Sequence, residues 1–232
     1  MAKLSVIIPV YNEENTIKIV IEKVKKVKLK GILKEIIVVD NFSEDNTKGI
    51  LKNLDDDSLK IFYHKRNMGK GASIKTGLKN SSGDIIIIQD ADLEYDPKDY
   101  GKLLKPIVEN MASVVYGSRI GATRDNPKNM HKFYYVGNLF LTSMTNLLYG
   151  AKITDMATGY KVFKKEVVKG INLRASGFDF DTEITAKILK KGYKIYEVPI
   201  SFVGRSFAEG KKITWVDGVK AAYYLLKYRF VD

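Results

Sequence analysis

Four isoleucines in succession, Ile85–Ile88, run through Gln89 into Asp90-Ala91-Asp92. An unbroken apolar run, rather than an alternating one, reads as a strand covered on both faces. In open α/β sheets ligands bind beyond the carboxyl ends of the strands, so the two carboxylates fall at the ligand edge. Asp90 and Asp92 are like charges close together, a costly arrangement unless a cation or hydrogen-bond donors neutralise them. A hard divalent cation such as Mg²⁺ suits the pair, because it takes a few carboxylates together with phosphate oxygens. A strand ending in an ordinary acidic turn is the plain alternative for so short a motif.

Other strand patterns surround this one. Leu4–Val10, Glu35–Val39, Leu59–Tyr63 and Ala112–Tyr116 are short β-rich runs. Helical patterns lie between them: Asn12 as N-cap of a basic amphipathic helix to about Lys28, Ser43–Leu54, Gly69–Asn80 and Pro97–Asn110. Such alternation through residue 120 predicts a parallel sheet with helices on both faces. Beyond it come a polar loop (Gly121–Met130), an aromatic-rich helix (Lys132–Tyr149) and a helix entered from Gly177. A strand at Lys194–Val198, a charged loop at Arg205–Lys212 and a final amphipathic helix (Trp215–Arg229) complete the chain. The 232 residues suit one sizeable domain, with 1–120 and 121–232 as its two halves.

Every polar cluster of the first half follows a strand: Pro9 to Glu13, Asp40-Asn41, Asp90-Ala91-Asp92 and Gly117-Ser118-Arg119. In a parallel sheet these ends share one edge, so one cleft can hold all four. Several chemistries are excluded. No cysteine is present, and the two histidines, His64 and His131, are too few for a His-rich metal site. Gly69-Lys70-Gly71 lacks the third glycine of a dinucleotide fingerprint, and Gly204 to Lys212 is one residue too long for a Walker loop. The net charge of +12 comes from 33 lysines and only six arginines. Scarce arginines beside motifs are the better candidates for bidentate phosphate contact. No nucleic-acid-binding motif accompanies the positive charge. No apolar run reaches the roughly 18–20 residues that span a bilayer, and no signal peptide is visible. A cytoplasmic protein is expected.

Taken in order, Ile8 to Glu14, Val38 to Thr47, Gly69 to Ala72, Asp90 to Pro97 and Gly117-Ser118-Arg119 resemble the family 2 glycosyltransferases. Asp155 with Thr158-Gly159-Tyr160, Glu197-Val198-Pro199, and Arg205 with Glu209 to Ile213 extend the resemblance to the dolichyl- or polyprenyl-phosphate hexose synthases. It implies a GT-A fold, an α/β Rossmann-like nucleotide half joined to an acceptor half. It implies that Pro9, Tyr11, Glu13, Val39, Asp40, Asn41 and Lys70 hold the nucleotide-sugar, with Asp90 and Ala91 along the ribose and diphosphate. Asp92 and Glu94 match metal-ligand positions for Mg²⁺ or Mn²⁺, with Asp90 a further candidate. Arg119, Arg205 and Lys211 match positions near the diphosphate and the acceptor phosphate. Many relatives carry two successive aspartates where this chain has Asp40-Asn41, which leaves uridine and guanosine donors both open. The stretch from Arg205 to Ile213 and Tyr228-Arg229-Phe230 resemble the UDP-glucose branch, with GDP-mannose as the other candidate.

The implied reaction is inverting transfer of a hexose to a lipid phosphate. A phosphate is already anionic near neutral pH, with a second pKa of about 6, so positioning matters more than deprotonation. A hydroxyl acceptor, on a soluble molecule or a polysaccharide, would need a base. Asp181 and Glu183 lie where related hydroxyl-acceptor enzymes place one; carboxylates favoured by a helix N-terminus are the plain alternative. The aromatic-rich helix and the Trp215, Val219, Ala222, Tyr223 and Leu226 stripe suit peripheral docking on anionic lipid, or else core or dimer packing. Several synthases of this kind carry transmembrane helices. This chain is expected to dock peripherally or through a membrane partner.

Overall fold

The computed structural model describes all residues except Asp55, Asp57, 121–129, His131, 206–211, Ile213 and Asp232. Through residue 118 the elements are β1 (Ala2–Val10), α1 (Ile17–Lys26), β2 (Ile32–Asp40), α2 (Thr47–Lys52), β3 (Leu59–Tyr63), α3 (Lys70–Asn80), β4 (Ile85–Ile88), α4 (Tyr100–Val108) and β5 (Val114–Ser118). Then follow α5 (Lys132–Tyr149), β6 (Lys161–Lys164), α6 (Lys165–Lys169), α7 (Phe180–Lys190), β7 (Ile195–Pro199) and α8 (Trp215–Phe230).

The strands form one sheet in the order β3-β2-β1-β4-β6-β5-β7. The isoleucine run is β4, and all four side chains are buried. Alternate residues of β1 supply the two faces. Leu4, Val6, Ile8 and Val10 join Ile17, Val20, Ile21 and Val24 of α1 and Leu103, Leu104 and Ile107 of α4. Ile7 points the other way, to Ile74 of α3 and to Phe180, Ile184 and Ile188 of α7. This is the two-period of a strand meeting helices on both sides.

One strand, β6, has no counterpart in the sequence patterns. The sheet is mostly parallel, but β6 runs antiparallel between β4 and β5. The sequence hid it because its four residues, Lys-Val-Phe-Lys, present no apolar run. Its first lysine is nevertheless fully buried. β5 still runs in the direction of β1, β2 and β4, since two antiparallel pairings restore direction. The ends of all four therefore share one edge.

Asn12 is not the N-cap of α1; Thr16 is. Asn12 sits at φ +49°, a conformation asparagine tolerates, and its Oδ1 accepts a hydrogen bond from the Glu44 amide at 2.8 Å. The turn after β1 is thereby stitched to the turn after β2.

At the opposite edge the β2 residue Glu35 ties four segments together. Its carboxylate accepts from Ser5 Oγ, Lys60 Nζ, the Ser82 amide and hydroxyl, and the Gly83 amide. Burial alone would raise its pKa, but Lys60 and then Ser5 and Ser82 outweigh it and hold the carboxyl well below the usual range. Glu35→Gln is expected to destabilise the fold by about 2 kcal/mol at pH 7, since two buried amides lose an anionic acceptor. A carboxyl depressed in the folded state stabilises fully above its unfolded pKa and loses that contribution as pH falls. Urea unfolding of the variant and the parent should therefore differ most at pH 7 and less at pH 3, below the unfolded pKa, where part of the carboxylate's contribution has gone. An equal difference at both values would contradict this account.

Candidate active site

A cavity of about 330 Å³ opens at the shared strand edge. Pro9 at the end of β1 lines it with Tyr11 and Glu13 just beyond, Asn41 after β2, Asp90, Ala91, Asp92 and Glu94 after β4, and Arg119 directly after β5. Lys70 from α3, Asp181 from α7 and Arg205 also line it. Most of the residues singled out in the sequence thus meet in one cleft. Val39, Asp40 and Glu183 do not line it. Val39 is packed in the sheet, and Asp40 accepts hydrogen bonds from the amide and hydroxyl of Ser43. Glu183 is fully buried, bonded to the amides of Arg174 and Ala175 and to Lys187. Lys211 lies outside the described residues.

The acidic wall is built by β4 and the turn after it. Gln89 fixes the strand end: its Oε1 accepts from Tyr100 and Tyr160, and its Nε2 donates to the Asp90 carbonyl. Gly159 backs the turn, and a Cβ there would come within 2.4 Å of Asp90 Oδ2. The Glu94 amide donates to Asp92 Oδ1 at 3.2 Å. Burial, and then the charges of Asp90 and Glu94, push the Asp92 carboxyl up to about 7 against the pull of Arg205. Three carboxylates crowd this turn, and the mutual repulsion falls on Asp92, an arrangement a cation would relieve.

The basic wall has two arginines. Arg119 forms a two-point ion pair with Asp155, Nε to Oδ2 at 2.8 Å and Nη2 to Oδ1 at 2.7 Å. Its guanidinium lies 5.2 Å from the centre of the Phe202 ring. Asp155 is fully buried and is oriented by Glu197, which accepts the amides of Thr154 and Asp155. Among the described residues Nη1 of Arg119 has no hydrogen-bond partner. Arg205 spans the acidic wall: its guanidinium binds both oxygens of Glu13, lies 3.5 Å from Asp92, and its amide donates to Glu94. Lys212 joins Glu13 at 2.8 Å.

The cavity floor carries two further ion pairs. Lys70 meets Asp90 at 2.6 Å. Lys161 meets Asp181 at 2.6 Å. The glycine before Lys70 has a structural reason: Gly69 sits at φ +88°, and a Cβ would lie 2.3 Å from the Ser176 carbonyl. That approach lets the first amides of α3 donate to the carbonyls of Ser176 and Gly177.

Some lining residues had no signal in the sequence. Asn67 reaches the cleft because Asn41 donates to its Oδ1 at 2.7 Å, and His64 holds Asn41 from behind at 2.9 Å. Tyr95 and Phe178 line the cleft as well. Asp155 and Lys212 were visible only as parts of longer motifs. Lys161 could be found only by knowing its partner.

Residues 5–171 match the model of "Glycosyl transferase family 2". A UDP-N-acetylglucosamine–dolichyl-phosphate N-acetylglucosaminyltransferase of Methanococcus voltae is 32% identical over 95% of this chain and 93% of its own. A dolichol-phosphate mannosyltransferase of Pyrococcus furiosus is 32% identical over 90% of this chain and 59% of its own. Among solved structures, glucosyl-3-phosphoglycerate synthase from Mycobacterium tuberculosis in complex with UDP superposes with a TM-score of 0.75. It is 18% identical and is matched over 100% of this chain and 81% of its own. Its complex with Mn²⁺, UDP and phosphoglyceric acid gives 0.72 at 19% identity, over 100% of this chain and 80% of its own. The shared fold is GT-A.

Proposed function

The chain belongs to glycosyl transferase family 2, and from that premise we propose that it transfers a hexose from a nucleoside-diphosphate sugar to a dolichyl or polyprenyl phosphate. Glycosyl transfer itself follows from the family; donor, acceptor and place of action are our reading. The observation that carries it is one cleft that gathers crowded carboxylates and two anchored arginines, Arg119 on Asp155 and Arg205 on Glu13 beside Asp92. The names of the methanogen and Pyrococcus relatives, both acting on a dolichyl phosphate, support the acceptor.

In this reaction an oxygen of the acceptor phosphate attacks the anomeric carbon and forms the new C–O bond. The bond from that carbon to the diphosphate breaks, and its electron pair leaves with the nucleoside diphosphate. Attack opposite the leaving group inverts the centre. No proton need be removed from the acceptor. Arg119 is suited to the anionic groups, since Asp155 fixes its plane and leaves Nη1 free among the described residues.

Mg²⁺ or Mn²⁺ fits the acidic wall: Asp92 and Glu94 offer the hard oxygens such ions take alongside phosphate oxygens. No group of three potential ligands is present among the described residues, so Asp92 and Glu94 are the side chains that would hold the ion. When bound, the ion would neutralise charge developing on the leaving diphosphate. Tyr11, Asn41 and Asn67 also line the cleft, and this reading gives them the base and ribose.

Membrane docking rests on two helices. On α5, Asn138 and Thr142 are buried, accepting the amides of Ala157 and Met156, while Phe140 is 62% and Leu147 85% exposed. On α8, Trp215, Val219, Tyr223, Leu226 and Phe230 are all exposed, beside Lys220, Lys227 and Arg229. The apolar row of α8, flanked by basic residues, suits an anionic lipid surface. No helix among the described residues is long and apolar enough to cross a membrane.

A thermal-shift screen of UDP-glucose, UDP-N-acetylglucosamine and GDP-mannose, with and without Mn²⁺, tests the donor. Binding at about a hundred times Kd adds about 2.7 kcal/mol of stability, so one nucleotide class should raise Tm by several degrees and need Mn²⁺ to do so. Silence from all three would contradict the reading.

A further inference from the structure

Lys161 is fully buried, and among the described residues Lys187 is the other buried lysine. It is held by the β6 backbone between β4 and β5, under the cavity floor. Its Nζ donates to the Thr158 carbonyl and to Asp181 Oδ1, and it lies 5.0 Å from the centre of the Tyr116 ring. A buried ammonium is costly unless paired and hydrogen-bonded, so such a group persists where it holds something in place. What it holds is Asp181, the one carboxylate of α7 that lines the cavity. Asp181 is further fixed from its own helix, where its carbonyl accepts from the Thr185 hydroxyl, itself bonded to Tyr116. Its second oxygen has no partner among the described residues. The neighbouring Lys70–Asp90 pair bounds the same floor.

The two carboxylate sites have different company. Asp92 and Glu94 sit in an acidic cluster facing Arg205, the setting of a cation and a diphosphate. Asp181 comes from a different element, α7, and is paired with Lys161 through one oxygen, the other having no hydrogen-bond partner among the described residues. A neutral polyol presents hydroxyl donors, and a fixed carboxylate oxygen is a strong, directional acceptor for them. With an acceptor that is already an anion, no step of the proposed transfer asks Asp181 to take a proton.

We propose that Asp181 binds a hydroxyl of the donor sugar, and that Lys161 is a positioning residue that fixes the carboxylate for that contact. This deepens the proposed function and rests on it. Burial lowers the Lys161 pKa, while Asp181 opposes that effect, as the pairing requires. A site built to hydrogen-bond a substrate hydroxyl rejects analogues that lack it, because the buried partner is left unsatisfied. Asp181 thereby becomes a determinant of which hexose is accepted.

The test measures, in Mn²⁺, the affinities of UDP against UDP-glucose and of GDP against GDP-mannose, for the parent, Asp181→Asn and Lys161→Met. The ratio within each pair isolates the sugar. In Asp181→Asn the sugar's contribution should fall by about tenfold to a hundredfold, the loss of one charged hydrogen bond. Affinity for the bare nucleoside diphosphate should be unchanged. Lys161→Met should give a smaller loss of the same kind. Should burial of methionine there prevent folding, Asp181→Glu, which keeps the charge but moves the oxygen, serves in its place and should also lose the sugar's share.

In turnover, Asp181→Asn should raise donor KM while leaving the shape of the kcat pH profile intact. An unchanged sugar contribution in Asp181→Asn overturns the inference and leaves the proposed function standing. A collapse of kcat by about a thousandfold with donor KM unchanged would make Asp181 a general base and overturn it too. If the parent binds neither UDP nor GDP, the proposed function fails, and this inference with it.

Discussion

Replacing Asp92 by asparagine should lower metal-dependent sugar transfer by about a thousandfold, while the folded protein becomes no less stable. The first half of that expectation follows from charge. Asp92 is the most crowded carboxylate of the cleft, with Asp90 and Glu94 on either side and its own carboxyl pushed up to about 7. A divalent ion that stabilises charge on a leaving diphosphate is worth several kcal/mol, or about three orders of magnitude in rate. Asparagine keeps the size and the oxygen that accepts the Glu94 amide, but not the charge. The second half follows from the same crowding. Removing one of three like charges relieves repulsion in the resting cleft, so Tm should stay level or rise, the usual relation between a strained functional site and stability. Steady-state kcat at saturating Mn²⁺ and a thermal melt check both halves. Activity within tenfold of the parent would remove Asp92 from the metal site.

The next largest effect belongs to Arg119, where function and fold are coupled. Arg119→Ala leaves Asp155 buried and unpaired, and losing one partner of a buried ion pair costs about 3–5 kcal/mol. It also removes the cation over Phe202. The alanine variant is therefore expected to be both unstable and inactive, which says little about catalysis. Arg119→Lys is the informative change. It keeps a charge beside Asp155 and should recover part of the stability. A lysine, however, cannot hold both Asp155 oxygens and still present a fixed donor to a phosphate. Transfer by the lysine variant should remain about a hundredfold down. Recovery of stability together with full activity would show that Arg119 serves only the fold.

These two residues also show what the sequence could and could not reveal. Asp92 was legible because local pattern sufficed: a four-isoleucine strand fixes where its polar end must lie. The gathering of Glu13, Asn41, Asp92 and Arg119 was legible for the same reason, since parallel strands share one edge. The Arg119–Asp155 pair was not, because its partners are 36 residues apart and joined only by the sheet. Strand β6 escaped notice because it begins with a lysine that looks solvated until Asp181 is placed beside it. The choice between Asp181 and Glu183 did carry a signal. Glu183 and Lys187 stand four apart on one helix, a spacing that marks a paired face, and Asp181 lies on another. Helix α5 departs from the usual rule in part, burying Asn138, Thr142 and Thr145 beside Leu141 while Phe133 and Phe140 stay exposed. Composition could show that the helix was apolar but not which side faced out.

The most direct measurement of the central claim offers the protein two acceptors in one reaction. Polyprenyl phosphate in anionic vesicles and a soluble oligosaccharide compete for sugar from a radiolabelled nucleotide donor with Mn²⁺. The account predicts label in the organic-extractable lipid, as an acid-labile glycosyl phosphate, with none on the oligosaccharide. Label on the oligosaccharide with none in the lipid would contradict it, and would return Asp181 to the role of a base.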